Sequence, residues 1–450
     1  ASYAPFLQRF RPTTLPSGPM TTAEFISSRP GRKKGVYRRA LAKGAGLHFA
    51  AEAKRLARTQ FFIKVEKTEQ PSCNTFTGRK TKVPVPRLIN PRDPLFNLEL
   101  GKFTVQVEHA IYHDIGLMFG RPCIAKGMNF WERAATIEGH FNEFQDPVWV
   151  AGDASRFDQH THTLSLKFEH DVLKQYYPGN KWLRFLLRHQ FNNTGFGFTS
   201  DGFLHADLGD MRMSGDMNTA LGNCIISAGL VWLRLQELGL RGYALVDGDD
   251  FGVVMERADS EKFMHGASEW YLRYGYNINW ETPVDVLEQV EFCQTHPVWT
   301  PDGYCMVRNP HKVLNSDLCG YSQCANDRYY LALVHAIGQS GAKVAAGIPI
   351  LQAFYHTAMR LGKQDDNVKL IEFEKYWYAQ YTRGLSVTHK EVHPKTRMSF
   401  ELAFGCPPHV QEAVEESFQY ITSLNLKPGG YNPQIYHENT VPLPFLYGSY

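Results

Sequence analysis

The stretch "GYALVDGDDFGVVM", residues 242–255, constrains the fold more than any other part of the chain. Two short apolar runs of strand-forming residues flank a tight turn, which predicts a buried β-hairpin. Its tip carries Asp247, Gly248, Asp249 and Asp250. Gly-Asp steps are routine turn residues, so the tip reads either as an ordinary solvated turn or as carboxylates gathered to bind cations.

The 450-residue length suggests about three domain-sized units. With 43% hydrophobic and 21% charged residues, wholesale disorder is excluded. The net charge of +3 hides an asymmetry. Residues 1–92 hold 19 Lys and Arg against 4 Asp and Glu, whereas the remainder holds 29 against 41. The basic first part is either a solvated face or the meeting place for a polyanion. Eight cysteines include no CxxC pair. Cys319, Cys324 and nearby His311 come nearest to a zinc pattern, and buried free thiols in a reducing compartment are the better reading. The start, "ASYAPFLQRFRPTTLPSG", lacks both a Met and the apolar core of a signal peptide, so a processed or trimmed chain is expected. The longest apolar run, residues 224–233, is too short to span a bilayer, and a soluble chain is expected.

Along the chain, Pro, Gly and Ser predict an extended segment over residues 1–36, followed by basic helices over 36–60 and a strand over 61–67. Four prolines stiffen residues 81–94 into an extended loop. A buried strand ends at Asp153, and helical spacing follows over 161–177. Residues 211–239 read as a loop feeding a long helix that Gly239 terminates. After the hairpin come a helix over 260–275 and paired strands over 290–299 and 304–314. From Ser316 the periodicity is helical, ending in a Pro/Tyr-rich tail. This order predicts one mixed sheet covered by helices, an α+β class.

Asp153 and Asp249 each end an apolar run, with Asp158 and Asp250 close in sequence. Neighbouring strand-end carboxylates suit a pair of hard divalent cations, which stabilise both oxygens of an in-line phosphoryl displacement. In "SGDMNTALGN", Thr219 and Asn223 share one helix face, and with Ser214 could hydrogen-bond a sugar or base edge. N-capping and packing explain the same strip equally simply. Lys64, Lys67, Lys82, Arg87 and Arg92 could face a triphosphate, or be solvated cations.

In this order and roughly 60 and 30 residues apart, "DASRFDQH", "SGDMNTALGN" and "GDD" resemble motifs A, B and C of viral RNA-dependent RNA polymerases. The wording is most similar to the tombusvirus-like and carmovirus-like group of positive-strand RNA viruses. "KVPVPRLINPRDPLFNLELGKF" resembles the basic fingers motif, "KGMNFWERAATIEGHF" the stretch before motif A, and "VEFCQ" with "MVRNPHKVL" motif E and its follow-on. The resemblance covers about residues 60–320.

It implies a right-hand polymerase fold of fingers, palm and thumb, with a mixed antiparallel palm sheet flanked by helices. The expected division is an N-terminal extension and fingers at 1–145, palm at 146–160, a fingers insertion at 161–205, palm at 206–310, and thumb and tail at 311–450. Asp153, Asp249 and Asp250 would be catalytic, holding two Mg²⁺ or Mn²⁺ ions. Asp158, Ser214, Thr219 and Asn223 would bind the ribose of the incoming nucleotide, and Lys64, Lys67, Lys82 and Arg87 its triphosphate. Arg92, Cys293, Arg308 and Lys312 would touch RNA or the priming strand. Asp247 matches the variable residue before the motif and is expected to be no ligand. The implied partners are RNA template, nascent RNA, rNTPs and other viral replication proteins. The implied setting is membrane-associated replication complexes in the host cytoplasm, with initiation able to proceed de novo. One departure stands out: residues 274–289 hold no Lys where relatives place a general acid for pyrophosphate, leaving His265 or water for that role. A reverse transcriptase and a non-catalytic RNA-binding replication factor are the rival readings.

Overall fold

The computed structural model describes residues 1–64, 85–199, 202–318, 327–368, 382 and 384–424. Its contacts separate two compact units. The first combines residues 1–64, 71–126 and 144–283; the second combines 65–70, 127–143 and 284–450. Residues 127–143 thus group with the C-terminal part of the chain.

The N-terminal 36 residues are not extended. They form α1 (Ala4–Arg9), α2 (Thr22–Ser28) and the start of α3 (Gly31–Lys43). Aromatic packing overrides the Pro/Gly composition: Phe6 meets Phe168 and Trp232 edge-on at 5.1 and 5.5 Å, and Tyr3 stacks on Phe168 at 4.0 Å. Thr21 and Glu24 form a capping box that starts α2. Then follow α4 (Phe49–Leu56) and three two-residue strands, β1 (Thr59–Gln60), β2 (Phe62–Ile63) and β3 (Leu88–Ile89). Next comes α5 (Pro94–Phe119), capped by Asp93, opened by Pro94 and closed by Gly120 at φ +77°.

α6 (Phe130–Phe141) belongs to the second unit. The first unit resumes with β4 (Pro147–Ala154), α7 (Phe157–His160), α8 (Thr163–Tyr176) and α9 (Lys181–Arg188). The Gly-rich stretch forms a hairpin, β5 (Asn193–Thr199) and β6 (Gly202–Gly209). α10 (Thr219–Leu238) ends at Gly239 with φ +63°, as its sequence predicts. It leads into β7 (Gly242–Asp247) and β8 (Asp250–Glu256). The helix expected over 260–275 is two, α11 (Arg257–Met264) and α12 (Ala267–Leu272), parted by Gly266 at φ +62°. β9 (Ile278–Trp280) completes a four-stranded antiparallel sheet in the order β7-β8-β4-β9.

Five consecutive residues of β4 and of β8 are buried, so this sheet is covered on both faces. α5, α10, α11 and α12 pack on it. Gly252 is required by that packing, since a Cβ there would stand 1.9 Å from the Trp149 ring. Gly252→Ala should therefore cost about 1–3 kcal/mol of stability. A lower urea midpoint with an unchanged denaturant slope would register it.

The second unit sets α6 against a hairpin of β10 (Thr295–Thr300) and β11 (Gly303–Arg308). The strand expected from residue 290 starts only at Thr295, because Cys293 and Gln294 take positive φ in the turn before it. Likewise the strand expected through Leu314 stops at Arg308, where Asn309 caps α13 (Pro310–Ser316). Helices α14 (Asp327–Ala342), α15 (Leu351–Leu361), α16 (Pro394–Phe404) and α17 (Pro408–Gln419) enclose a core around Val298, Val334, Phe354, Tyr355, Phe400 and Phe418. No helix among the described residues is long and apolar enough to cross a membrane.

Candidate active site

The site grows from two strand ends in the first unit. β4 is buried throughout its middle, yet Asp153, one residue before its end, is exposed. The β4–β8 ladder closes at Gly152 opposite Phe251, so Asp153 stands one step beyond it, beside the β7–β8 turn. In that turn Gly248 takes φ +77° and Asp249 follows at negative φ, the glycine-first pattern of a II′ hairpin. α10 rivets the turn from below. The Ser227 hydroxyl donates to the Gly248 carbonyl at 2.7 Å, and the Gly248 N–H donates to Cys224 Sγ at 3.2 Å. Burial pushes the Cys224 thiol up to about 12, which leaves it a neutral acceptor.

Asp249 is held above the ordinary carboxylate range. Burial among surrounding atoms is the main cause, its own backbone N–H opposes it, the charges of Asp158 and Asp153 add to it, and Arg87 counters them. The residue is nonetheless exposed, so the carboxylate stays accessible to solvent. Asp250 opens β8 opposite Asp247 and is half-buried. Asp247 points elsewhere, its carboxylate meeting Lys126 Nζ at 3.0 Å. Among the described residues no three His, Cys, Asp or Glu side chains converge as a ready-made metal cage. That donor set suits Mg²⁺, which takes one or two carboxylates and fills its other positions with water and substrate phosphates.

Beside the carboxylates lies a polar cluster. Arg156 turns the chain at φ +51°, and Asp158 on α7 then accepts from Ser214 Oγ and, at 2.8 Å, from Asn223 Nδ2. Asn223 is 7% exposed, and its Oδ1 is buried without a hydrogen-bond partner among the described residues. Thr219 does not join this cluster. Its hydroxyl is directed to the carbonyls of Met213 and Asp216 at 3.1 and 3.0 Å, which braces the loop before α10.

Of the candidate triphosphate cations, Lys64 and Arg87 face each other one step past the β2–β3 ladder, with the Lys64 N–H donating to the Arg87 carbonyl at 2.8 Å. Lys67 and Lys82 lie outside the described residues, as do Cys319, Cys324 and residues 425–450.

Arg92 corrects an expectation. It is 3% exposed, and each of its five N–H groups is bonded inside the protein. The partners are Asp216 Oδ1 at 2.5 Å, Asp216 Oδ2 at 3.4 Å, the carbonyls of Ala57 and His189 at 2.5 and 3.0 Å, and Asn193 Oδ1 at 2.6 Å. With no donor left, it is a brace and not an RNA contact. In the second unit, Arg308 Nη1 is committed to both Asp317 oxygens at 2.9 and 2.7 Å, Lys312 is exposed, and Cys293 sits in the positive-φ turn.

The His265 carbonyl accepts from Arg234 Nη2 at 2.6 Å, seven residues beyond Ser227 along α10.

Sequence reasoning missed a buried network under the Ser214–Asn218 loop. Glu169 on α8 accepts from Arg212 Nη2 and Asn218 Nδ2, and Asn218 Oδ1 accepts from Gln190 Nε2 at 2.7 Å. Gln190 Oε1 in turn meets His170 Nε2 at 3.0 Å. Burial raises Glu169, but the Glu169 charge overrides burial to keep Arg212 protonated. The second effect governs, since a neutral Glu169 would leave a buried cation uncompensated. A signal for this network was present: Glu169 falls at core spacing between Leu166 and Leu173, where a charged residue needs a partner.

Strand-end carboxylates thus lie beside an amide–hydroxyl cluster, with Arg87 near enough to act on Asp249. Comparison with known proteins makes this specific: the family described as viral RNA dependent RNA polymerase matches residues 4–425, and the chain belongs to it. Similar proteins include the RNA-directed RNA polymerase of Tobacco necrosis virus (strain A), 34% identical over 88% of this chain and 53% of that protein. Those of Maize chlorotic mottle virus and Turnip crinkle virus are 34% and 31% identical over 89% and 93% of this chain, and over 40% and 52% of theirs. The chain thus spans about half the length of the curated relatives it matches.

Proposed function

We propose that the chain performs template-directed RNA synthesis. A 3′-hydroxyl forms a bond to the α-phosphorus of an rNTP while the α–β phosphoanhydride bond breaks and pyrophosphate leaves. The carrying observation is the proximity of Asp153 and Asp249 to Asp158, which is bonded to Ser214 and Asn223. Asp153 and Asp249, with Asp250 adjacent, would hold divalent cations, which supply charge stabilisation for the in-line displacement. Arg87 lies near enough to act on Asp249 electrostatically, and with Lys64 it offsets triphosphate charge. Asn223 Oδ1, buried and unpartnered among the described residues, offers an acceptor for a ribose hydroxyl beside the Asp158 carboxylate. In this reading the first unit holds fingers and palm and the second the thumb. Other viral replication proteins and host-membrane complexes are its setting.

The test is incorporation of labelled rNTPs on an RNA template with Mg²⁺ or Mn²⁺, against dNTPs. Failure with rNTPs overturns the proposal, and a preference for dNTPs points to a reverse transcriptase. Asp158→Ala frees both Ser214 and Asn223, so discrimination against dNTPs should fall about tenfold, the 1–2 kcal/mol of one or two hydrogen bonds. Unchanged discrimination would remove Asp158 from ribose recognition.

A further inference from the structure

Three consecutive residues of the proline-stiffened basic segment fasten to three consecutive residues of the loop before α10. The Asn90 N–H donates to the Ser214 carbonyl at 2.8 Å. Gly215, at φ +137°, lies so close to Pro91 that a Cβ would come 2.9 Å from the Pro91 nitrogen. Arg92 then grips Asp216 through Nε and Nη2, with both side chains almost wholly buried.

Each side of this clasp carries a different part of the proposed nucleotide site. Arg87 lies three residues before Asn90, with Lys64 bonded to its carbonyl. On the other side, Ser214 reaches Asp158, and the Asp216 carbonyl receives the Thr219 hydroxyl that closes the loop. The clasp has no play of its own. A lysine in place of Arg92 would lack the planar fork that binds a carboxylate and three further acceptors together.

From this geometry we infer that Arg92 and Asp216 are a positioning pair, which locks the triphosphate-facing strand to the ribose-facing loop. The inference rests on the polymerase reading above. Its consequence is that phosphate and sugar are sensed as one ligand: a nucleotide whose phosphates are held by Arg87 meets a ribose cluster already in register. Neither residue touches the nucleotide, so loosening the pair weakens recognition more than the chemical step.

The test compares Arg92→Lys and Asp216→Asn with the parent chain. The second variant is nearly isosteric and keeps the bonds of Arg92 to Ala57, His189 and Asn193, so it stays informative if the first fails to fold. Expected are an rNTP KM raised roughly five- to tenfold, a similar loss of discrimination against dNTPs, and kcat within about twofold of the parent. Retained KM and discrimination, with only a lower melting temperature, would make the pair a plain fold brace and overturn the inference. If the parent chain incorporates nothing, the polymerase reading fails instead. Calorimetric titration of ATP and dATP with Mg²⁺ then judges the pair without turnover: a five- to tenfold weaker ATP affinity in the variants supports it, and equal affinity overturns it.

Discussion

Asp249→Ala should lower RNA synthesis at least about a thousandfold while leaving the protein folded. In the proposed reading, several kcal/mol of transition-state charge stabilisation would depend on the carboxylates at the strand ends, and each 1.36 kcal/mol is a factor of ten. Asp153→Ala should do the same, because Asp153 stands beyond the β4–β8 ladder and contributes no ladder pairing there through its side chain. Equal incorporation by either variant and the parent would sink the assignment. Stability should move the other way. Asp249 is raised above the usual carboxylate range by burial and by the Asp158 and Asp153 charges. A folded carboxyl that holds its proton more tightly than the unfolded chain contributes stability below the unfolded pKa, and that contribution is lost as pH rises through the folded one. At neutral pH the ionised Asp249 is therefore a cost, and Asp249→Asn should melt no lower than the parent in metal-free buffer.

The parts of the molecule that are legible in the sequence are those fixed by local signals. The strand ending near Asp153, the β7–β8 hairpin and the Gly239 helix stop all rest on local signals: apolar runs, a glycine-first turn and a left-handed cap. α5 carried equally local signals in Asp93, Pro94 and Gly120, but the neighbouring prolines masked them. Arg92 was not readable. Its partners Ala57, His189, Asn193 and Asp216 lie 35, 97, 101 and 124 positions away, and nothing within its own basic segment separates it from Arg87. The N-terminal helices were misjudged for the same reason. Phe6 has its aromatic partners at Phe168 and Trp232, far along the chain. Burial of charge is a tertiary property, and only the expectation that a core charge needs a partner could have pointed to Glu169.

Glu169→Gln should destabilise the protein by about 3–5 kcal/mol, the largest stability loss expected from a single conservative change. The amide keeps the shape and its one oxygen can still accept from Asn218, but its NH2 group then faces the Arg212 guanidinium, so the loss combines the charge with the hydrogen bond to Arg212. Arg212 is buried, with no hydrogen-bond partner for Nε and Nη1 among the described residues, and Glu169 is the carboxylate bonded to its Nη2. Gly222 shows how tightly the pair is enclosed, since a Cβ there would come 2.4 Å from both Arg212 Nη2 and the Glu169 carboxyl. Combining Glu169→Gln with Arg212→Met removes both charges and should recover much of the loss, a coupling that urea unfolding of the four proteins would measure. Because the pair is shielded from solvent, the coupling should persist in 1 M salt, where the Debye length is about 3 Å and exposed pairs such as Arg257–Asp146 contribute little. Additive losses, or a coupling erased by salt, would show that the loop before α10 is held by its neutral hydrogen bonds rather than by this buried charge.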